Sequence, residues 1–305
     1  MSQVIGLASK YIPMLDEKYK RAAITSVLDA PPELVRESMT ANSIYIPNVA
    51  MQGLGDYNTS TGFVSGDVTF TWVQHQFTND RGRTFSIDAV ENMETIDLAF
   101  GSVAGQFIDL HVAPEVDAYR FAKLYTAAAA VGQSPTAADL ANTTAVEAID
   151  EGIKTLLDGN VPRERLVLFV SYEVENFIKQ SDQFSRQFLV NAGSPVINRS
   201  VGTFDGIPVI GVPRNRFYDS ITLYDGTTGG QEAGGYVKTA STGKDLNFVL
   251  VDAGSMLGIT KTSVPRIFDP MTNQTAHAWK FDYRLYHDFF VPTNKRNGVY
   301  VHRKA

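Results

Sequence analysis

Residues 277–291, HAWKFDYRLYHDFFV, alternate with a period of two. Trp279, Phe281, Tyr283, Leu285, Phe289 and Val291 share one parity, whereas Lys280, Asp282, Arg284 and Asp288 occupy the other. Successive strand side chains point to opposite faces, so the pattern predicts one β-strand of about fifteen residues. Strands in globular domains usually run about five or six residues, and fifteen at ~3.3 Å each would span on the order of 50 Å. That length suits a spine better than a pocket. Such a strand needs neighbours along its whole length, and some are expected to come from other chains.

With 305 residues and 44 % hydrophobic content, the chain can bury the core of one large domain or two ordinary ones. Its formal net charge of −6, with no block of Lys or Arg, argues against a general nucleic-acid binder. The absence of cysteine excludes disulfides and cysteine-ligated zinc, and fits a reducing cytoplasm. MSQVIGLASKYIPMLDEKYK lacks the apolar core of a signal peptide, and no stretch approaches the ~20 apolar residues that span a bilayer. A chain soluble when made is therefore predicted, with no membrane partner. The Asn-X-Ser/Thr matches at Asn58, Asn142, Asn198 and Asn273 are then chance occurrences.

Residues 1–42 mix short apolar groups with charge, include Pro13, Pro31 and Pro32, and hold no self-contained core; they read as an arm. Residues 43–90 carry three strand-like runs, SIYIPNV, DVTFTWVQHQF and GRTFSIDAV. The polar, glycine-rich AMQGLGDYNTSTGFVSG and a turn at Asn79-Asp80-Arg81-Gly82 separate them, which predicts a long hairpin with a flexible tip. From Thr95 the period changes: Ile96, Phe100, Val103, Phe107 and Leu110 form a helical stripe, interrupted by Pro114 and resumed in EVDAYRFAKLYTAAAA. A kinked or two-piece helix ending near Gly132 is expected. A second helix is expected after Pro135, with Val146, Ile149, Ile153 and Leu156 inward and a stop at Gly159. RLVLFVSYEVENFIKQ reads as a buried strand, a Ser171 cap and a short helix. IPVIGV and LNFVLV are further buried strands, joined by a glycine-rich segment read as a flexible loop. LGITKTSV, the turn DPMTN, the long strand and GVYVHRK complete the chain as β-structure.

No catalytic signature emerges. The five histidines, His75, His111, His277, His287 and His302, show no metal-ligand spacing, so structural roles are the simpler reading. There is no Gly-X-Ser-X-Gly elbow. TGKD lacks the Ser or Thr of a phosphate-binding loop, because Asp245 stands there. Gly53-Leu54-Gly55 lacks the third glycine of a dinucleotide site. The acids Asp88, Glu91, Glu94 and Asp97 fit a solvated helix start, where the macrodipole favours negative charge, better than acid–base chemistry. The residues predict no enzyme, no cofactor and no metal.

The order of an arm, a long hairpin, a long helix, a compact α/β part and a return through very long strands resembles tailed-bacteriophage major capsid proteins with the Hong Kong 97-type fold, an α+β fold. The segments that carry the likeness are RGRTFSIDAVENMET, VAPEVDAYRFAKL, FDGIPVIGVP and KFDYRLYHDFFVPTNKRNGVYVH. The resemblance implies an N-arm at 1–42, an extended E-loop at 43–90, a peripheral-domain spine helix at 91–132, an axial domain at 133–256 and peripheral long strands at 257–305. It also implies a loop at 225–245 near the local symmetry axes, and a hairpin tip at Asp269 to Asn273 where capsomers meet. No lysine lies between Lys20 and Lys123, so the E-loop cannot supply the cross-linking lysine that some members use. Only about forty residues precede the E-loop, which leaves no room for a fused scaffolding domain, and the initiating Met gives no sign of maturation cleavage.

The implied function is self-assembly into hexamers and pentamers of an icosahedral shell that encloses double-stranded DNA without sequence-specific binding. Assembly in the host bacterial cytoplasm would use a separate scaffolding protein, a portal and, in some heads, a decoration protein. Phe63, Phe70, Trp72 and Phe77 are expected to be buried on neighbouring subunits. Arg81, Arg83, Asp88, Glu94, Lys280, Asp282, Arg284 and Asp288 are expected to select partner and register, with Asp269 and Asn273 at the tip. Phe281 and Tyr283 are expected inside the subunit. Two readings stay open: an encapsulin-type compartment sharing the fold, and a β-rich hydrolase or ligand-binding protein whose site shows no motif.

Overall fold

The computed structural model describes residues 23–29, 36–37, 43–89, 105–181, 190–191, 194–195 and 202–305. In chain order the elements are β1 (Arg36–Glu37), β2 (Ser43–Met51), β3 (Val68–Gln76), β4 (Asn79–Asp88), α1 (Ala113–Ala130), α2 (Ala145–Asp158), β5 (Leu166–Ser171) and α3 (Tyr172–Gln180). They continue with β6 (Val190–Asn191), β7 (Ser194–Pro195), β8 (Thr203–Phe204), β9 (Ile207–Val212), β10 (Ile221–Leu223), β11 (Tyr236–Lys238), β12 (Leu246–Asp252), β13 (Leu257–Phe268), β14 (Ala278–Phe290) and β15 (Val299–Arg303). None of the described helices is long and apolar enough to cross a membrane.

The long strand predicted at 277–291 is β14, with 13 residues. It is the middle strand of a three-stranded antiparallel sheet, between β13 and β4. Alternation decides which side chains turn inward: Phe281, Tyr283 and Leu285 are buried, and Arg284 between them is exposed. The alternation ends at His287, after which His287, Asp288, Phe289 and Phe290 are all buried. There the root of the β2–β3 hairpin lies on the face that is open further along, with Phe77 against Tyr286 and Phe290.

The predicted turn at Asn79 to Gly82 is instead the beginning of β4, paired residue by residue with β14 from His287↔Asn79 to Ala278↔Asp88. Gly82 fits a close approach in that ladder, because a Cβ there would stand 2.9 Å from the Tyr283 carbonyl oxygen.

Pro114 neither breaks nor splits the long helix. A π-helical turn, Ile108–Val112, precedes α1, and the Ala113 N–H donates to the Ile108 carbonyl five residues back. Widening the turn accommodates a ring that carries no N–H, and Pro114 falls within the first two positions of α1, where that donor has no intrahelical partner to lose. The helix then serves two cores. Val112, Ala113 and Val116 pack with Phe281, Tyr283 and Leu285 of the long strand. Further along, Phe121, Leu124 and Ala128 pack on the second sheet.

That second sheet has five strands in the order β15-β12-β5-β9-β8, with only β5 and β9 parallel. β12 and β5 read as continuous apolar runs because both faces are covered, whereas β9, expected as a buried strand, buries only Ile207 and Val212. Val167 and Phe169 of β5 face the α1 side, whereas Leu166, Leu168 and Val170 face α2 and α3. Ser171 caps α3 as expected, its Oγ accepting from the Val174 N–H at 3.3 Å. Two expectations change here. The helix after Pro135 starts only at Ala145, because residues 133–138 run along the free edge of β15, where Val301 donates to Gln133 and Ala138 to Arg303. The chain's last strand, β15, pairs with β12, so it lies in this sheet and not with the long strands.

Candidate assembly surface

β2 and β3 form a hairpin in the register Ser43↔Gln76 to Met51↔Val68, and β1 adds a short third strand at its root, Arg36 opposite Tyr45 and Glu37 opposite Ile44. Pro47 stands opposite Trp72, Val49 opposite Phe70 and Met51 opposite Val68, so these six side chains share one face. Asn48, Ala50, Thr69 and Thr71 share the other. Every residue of β3 except His75 is exposed, including Val68 at 69 %, Phe70 at 56 % and Trp72 at 43 %. Phe70 and Trp72 pack edge to face at 5.5 Å. Near the tip, Tyr57 and Phe63 pack at 4.9 Å while Phe63 remains 90 % exposed. Beyond Tyr45 the described hairpin has two strands, an arrangement at best marginal in water by itself, and a contiguous exposed apolar face marks an interaction site.

Among the described residues the hairpin is held at its root, by β1 and by side-chain packing. Ile44, Ile46 and Phe77 form a cluster with Leu257 and Phe290 of the body. Phe77, expected on a neighbouring subunit, is therefore buried within its own. Asp288, expected among the partner-selecting charges, is 2 % exposed. Its carboxylate accepts from the Thr78 N–H at 2.8 Å, the Thr78 hydroxyl at 2.9 Å and the Tyr119 hydroxyl at 2.7 Å.

The other sequence-predicted charges divide into two groups. Arg81 and Arg83 bind the segment between β10 and β11. Arg81 donates to the carbonyls of Tyr224 and Gly235 and forks onto Glu115 of α1. Arg83 donates to the carbonyls of Glu232 and Ala233. Gly226 and Gly234 have positive φ, and a Cβ at Gly234 would stand 2.9 Å from the Arg83 guanidinium. The glycine-rich segment is thus built to receive an arginine, and β10 and β11 pair at its ends. Hydrogen bonds from Thr228 and Thr227 hold the Asp225 carboxyl well below the usual carboxylate range and fasten the turn between them. A cleft of about 300 Å³ lies beneath, lined by Phe85, Phe107, His111, Glu115, Tyr224 and Tyr283 among others.

The second group lies along the open face of the long sheet. Arg284 donates to Asp80 at 2.8 Å and holds that carboxyl below its ordinary range. Lys280 pairs with Asp282 at 3.3 Å, and Thr84 donates to Asp282 at 2.7 Å. Asp88 is exposed at the end of β4; Glu94 lies outside the described residues. Asp269 turns inward at 7 % exposure, accepting from the Thr272 N–H and hydroxyl, and Asn273 donates to the Ala278 carbonyl. These bonds build a turn that leaves Met271 89 % exposed.

In three-dimensional comparison the chain is similar to the mature capsid of bacteriophage PhiM1, with 11 % identity, a TM-score of 0.58, and 88 % of this chain and 83 % of that one covered. It is similar to the capsid of cyanophage P-SCSP1u at 10 % identity and a TM-score of 0.57, covering 91 % of this chain and 86 % of that one. The chain has the fold of these phage capsids. A structure from Gordonia phage Cozz matches over 92 % of this chain and 86 % of its own, at 14 % identity and a TM-score of 0.58. No protein-family model matches the sequence, and no curated protein does.

Within this fold His302 and His75 take packing roles, whereas His111 and His277 are exposed. His302 stacks on Phe248 at 5.3 Å and its Nδ1 meets Asn247 Nδ2 at 3.0 Å, while the His75 ring lies 5.2 Å from Phe290. Among the described residues no group of His, Cys, Asp or Glu could hold a metal ion. Val49, Met51 and Met271 were missed as surface candidates. Val49 and Met51 are visible once the β2–β3 register is known, whereas nothing in DPMTN singles out its methionine.

Proposed function

We propose that this chain is a tailed-phage major capsid protein of the Hong Kong 97 type, assembling with itself into the hexamers and pentamers of an icosahedral head. One observation carries the reading. A hairpin with a continuous exposed apolar face projects from a body with the phage capsid fold, and a second copy of the chain is the cover that such a repeated structure provides. In this reading 43–90 is the E-loop, 1–42 the N-arm and 91–132 the spine helix. The axial domain comprises 133–256 together with β15, and the long strands from 257 on belong to the peripheral domain. The pairing of β15 with β12 supports moving that strand from the peripheral to the axial domain.

Assembly would take place in the host cytoplasm with a separate scaffolding protein, a portal and, in some heads, a decoration protein, and the product would be the virion. The net charge of −6 suits a wall that encloses DNA without gripping it. Removing residues 50–66 deletes the tip while leaving the root cluster intact. The expected result is a folded chain by circular dichroism that forms no closed shells in electron micrographs; normal shells from this variant would overturn the proposal. A paired Phe70→Ser, Trp72→Ser variant should cost the single chain about 1–2 kcal/mol, the loss of their mutual and cross-strand contacts, and leave the body folded, yet should sharply reduce shell yield.

A further inference from the structure

On its β3 side the hairpin enters the body through two residues, Phe77 and Thr78, between the end of β3 and the start of β4. Two unlike contacts hold it. On one side Phe77 sits in the apolar root cluster, and such contact is non-directional. On the other, the Asp288 carboxylate receives Thr78 through both its N–H and its hydroxyl on Oδ2, and receives the Tyr119 hydroxyl and the Phe289 N–H on Oδ1. Two of these donors are backbone N–H groups, and α1 carries the Tyr119 hydroxyl. Hydrogen bonds to a charged acceptor are strong and angle-dependent.

From this geometry we infer that Asp288 is a positioning residue that sets the direction in which the hairpin leaves the body, with the apolar root acting as the joint it locks. The inference concerns a single chain and holds whether or not the hairpin joins subunits. The two hydroxyls also approach each other, Thr78 Oγ1 to Tyr119 Oη at 3.4 Å, so link, helix and carboxylate form one node. Among the described residues Arg120, Arg81, His75, His287, Tyr119 and Tyr286 are the other titratable or charged groups around this node.

Asp288→Asn is a near-isosteric test. Whichever way the amide turns, its NH2 faces a backbone N–H, from Thr78 or from Phe289. Because the sequence contains no cysteine, Ser60→Cys at the hairpin tip and Lys154→Cys on α2 can carry spin labels without background. Labelled chains diluted with unlabelled protein report the intrachain distance by double electron–electron resonance. The expected result is one narrow distance distribution in the parent chain and a broader one, with a shifted mean, in Asp288→Asn.

Ile44→Ala, which weakens the apolar root, is expected to lower the melting temperature while leaving the mean distance in place. Where Asp288→Asn does not fold, Tyr119→Phe and Thr78→Val each remove one hydroxyl from the node and should broaden the distribution by a smaller amount. An unchanged distribution in whichever of these carboxylate-node variants fold overturns the inference. So does equal broadening in Ile44→Ala at matched stability, which would make the carboxylate no more directional than the apolar contact.

Discussion

Arg81 of β4 forks onto Glu115 of α1, with Nε to Oε1 at 2.7 Å and Nη2 to Oε2 at 3.1 Å, and its remaining donors reach the carbonyls of Tyr224 and Gly235. One side chain therefore joins the long sheet, the helix and the glycine-rich segment. Arg81→Ala should cost about 1–3 kcal/mol in urea unfolding, and amide exchange in residues 224–235 should rise with it. Arg81→Lys should recover little of this, since an ammonium cannot reproduce the planar fork.

Asp117 is fully buried and accepts from the N–H groups of Ile24 and Thr25, the Thr25 hydroxyl and Arg216. It pins residues 23–29 to α1, with Arg120 donating to Thr25 and Asp29 beside it. Removing one member of a buried charged network strands the others, at a cost of roughly 3–5 kcal/mol. Asp117→Ala should lose about that much and expose the peptide bonds near Ala23 to protease. Glu151→Ala, which breaks the solvent-exposed pair with Lys154, should lose at most about 1 kcal/mol.

Burial depresses the His287 imidazole to about 4, with the Arg120 charge adding to the effect and Asp288 opposing it. The unfolded chain takes up that proton near pH 6.5, so between these values it binds more protons than the folded chain does. Stability should therefore fall as pH drops from about 6.5 towards 4, by roughly 3 kcal/mol from this group. Burial also lowers His75 and His302, which adds to the slope with the same sign. Chemical denaturation at pH 7 and pH 5 should show a large difference in the parent chain and a smaller one in His287→Gln.

Gly152 lies within α2, where alanine would gain about 1 kcal/mol in helix propensity. A Cβ there would stand 2.9 Å from both Leu250 Cδ1 and Tyr300 Cδ1, in the core between helix and sheet. Overpacking costs about 1–3 kcal/mol, so the clash should win and Gly152→Ala should lower the melting temperature.

Periodicity made the elements legible. The alternation in 277–291 located β14 and its buried Phe281 and Tyr283, apolar runs located β5, β9 and β12, and Ser171 located its helix start. Contacts between remote segments were not legible. Asp288 has the parity of a solvent-facing charge, and only the packing of Thr78 and Tyr119 on it turns it into an interior group. Residue type groups Phe77 with Phe70 and Trp72, yet it stands one step past β3 and on the opposite parity. Pro114 carries the local signal of a kink, and the compensating π turn has no signature in residue type. Arg81 showed its charge but not Glu115, because partners 34 residues apart are brought together only by the fold.

Serving two cores gives α1 a thermodynamic consequence. Neither sheet can come apart without exposing the helix that the other requires, so the free energies of the two halves are coupled. Calorimetry should show a single heat-absorption peak, despite two separate sheets. Substitutions at Val116 and at Leu124, one in each core, should move that one peak together rather than split it.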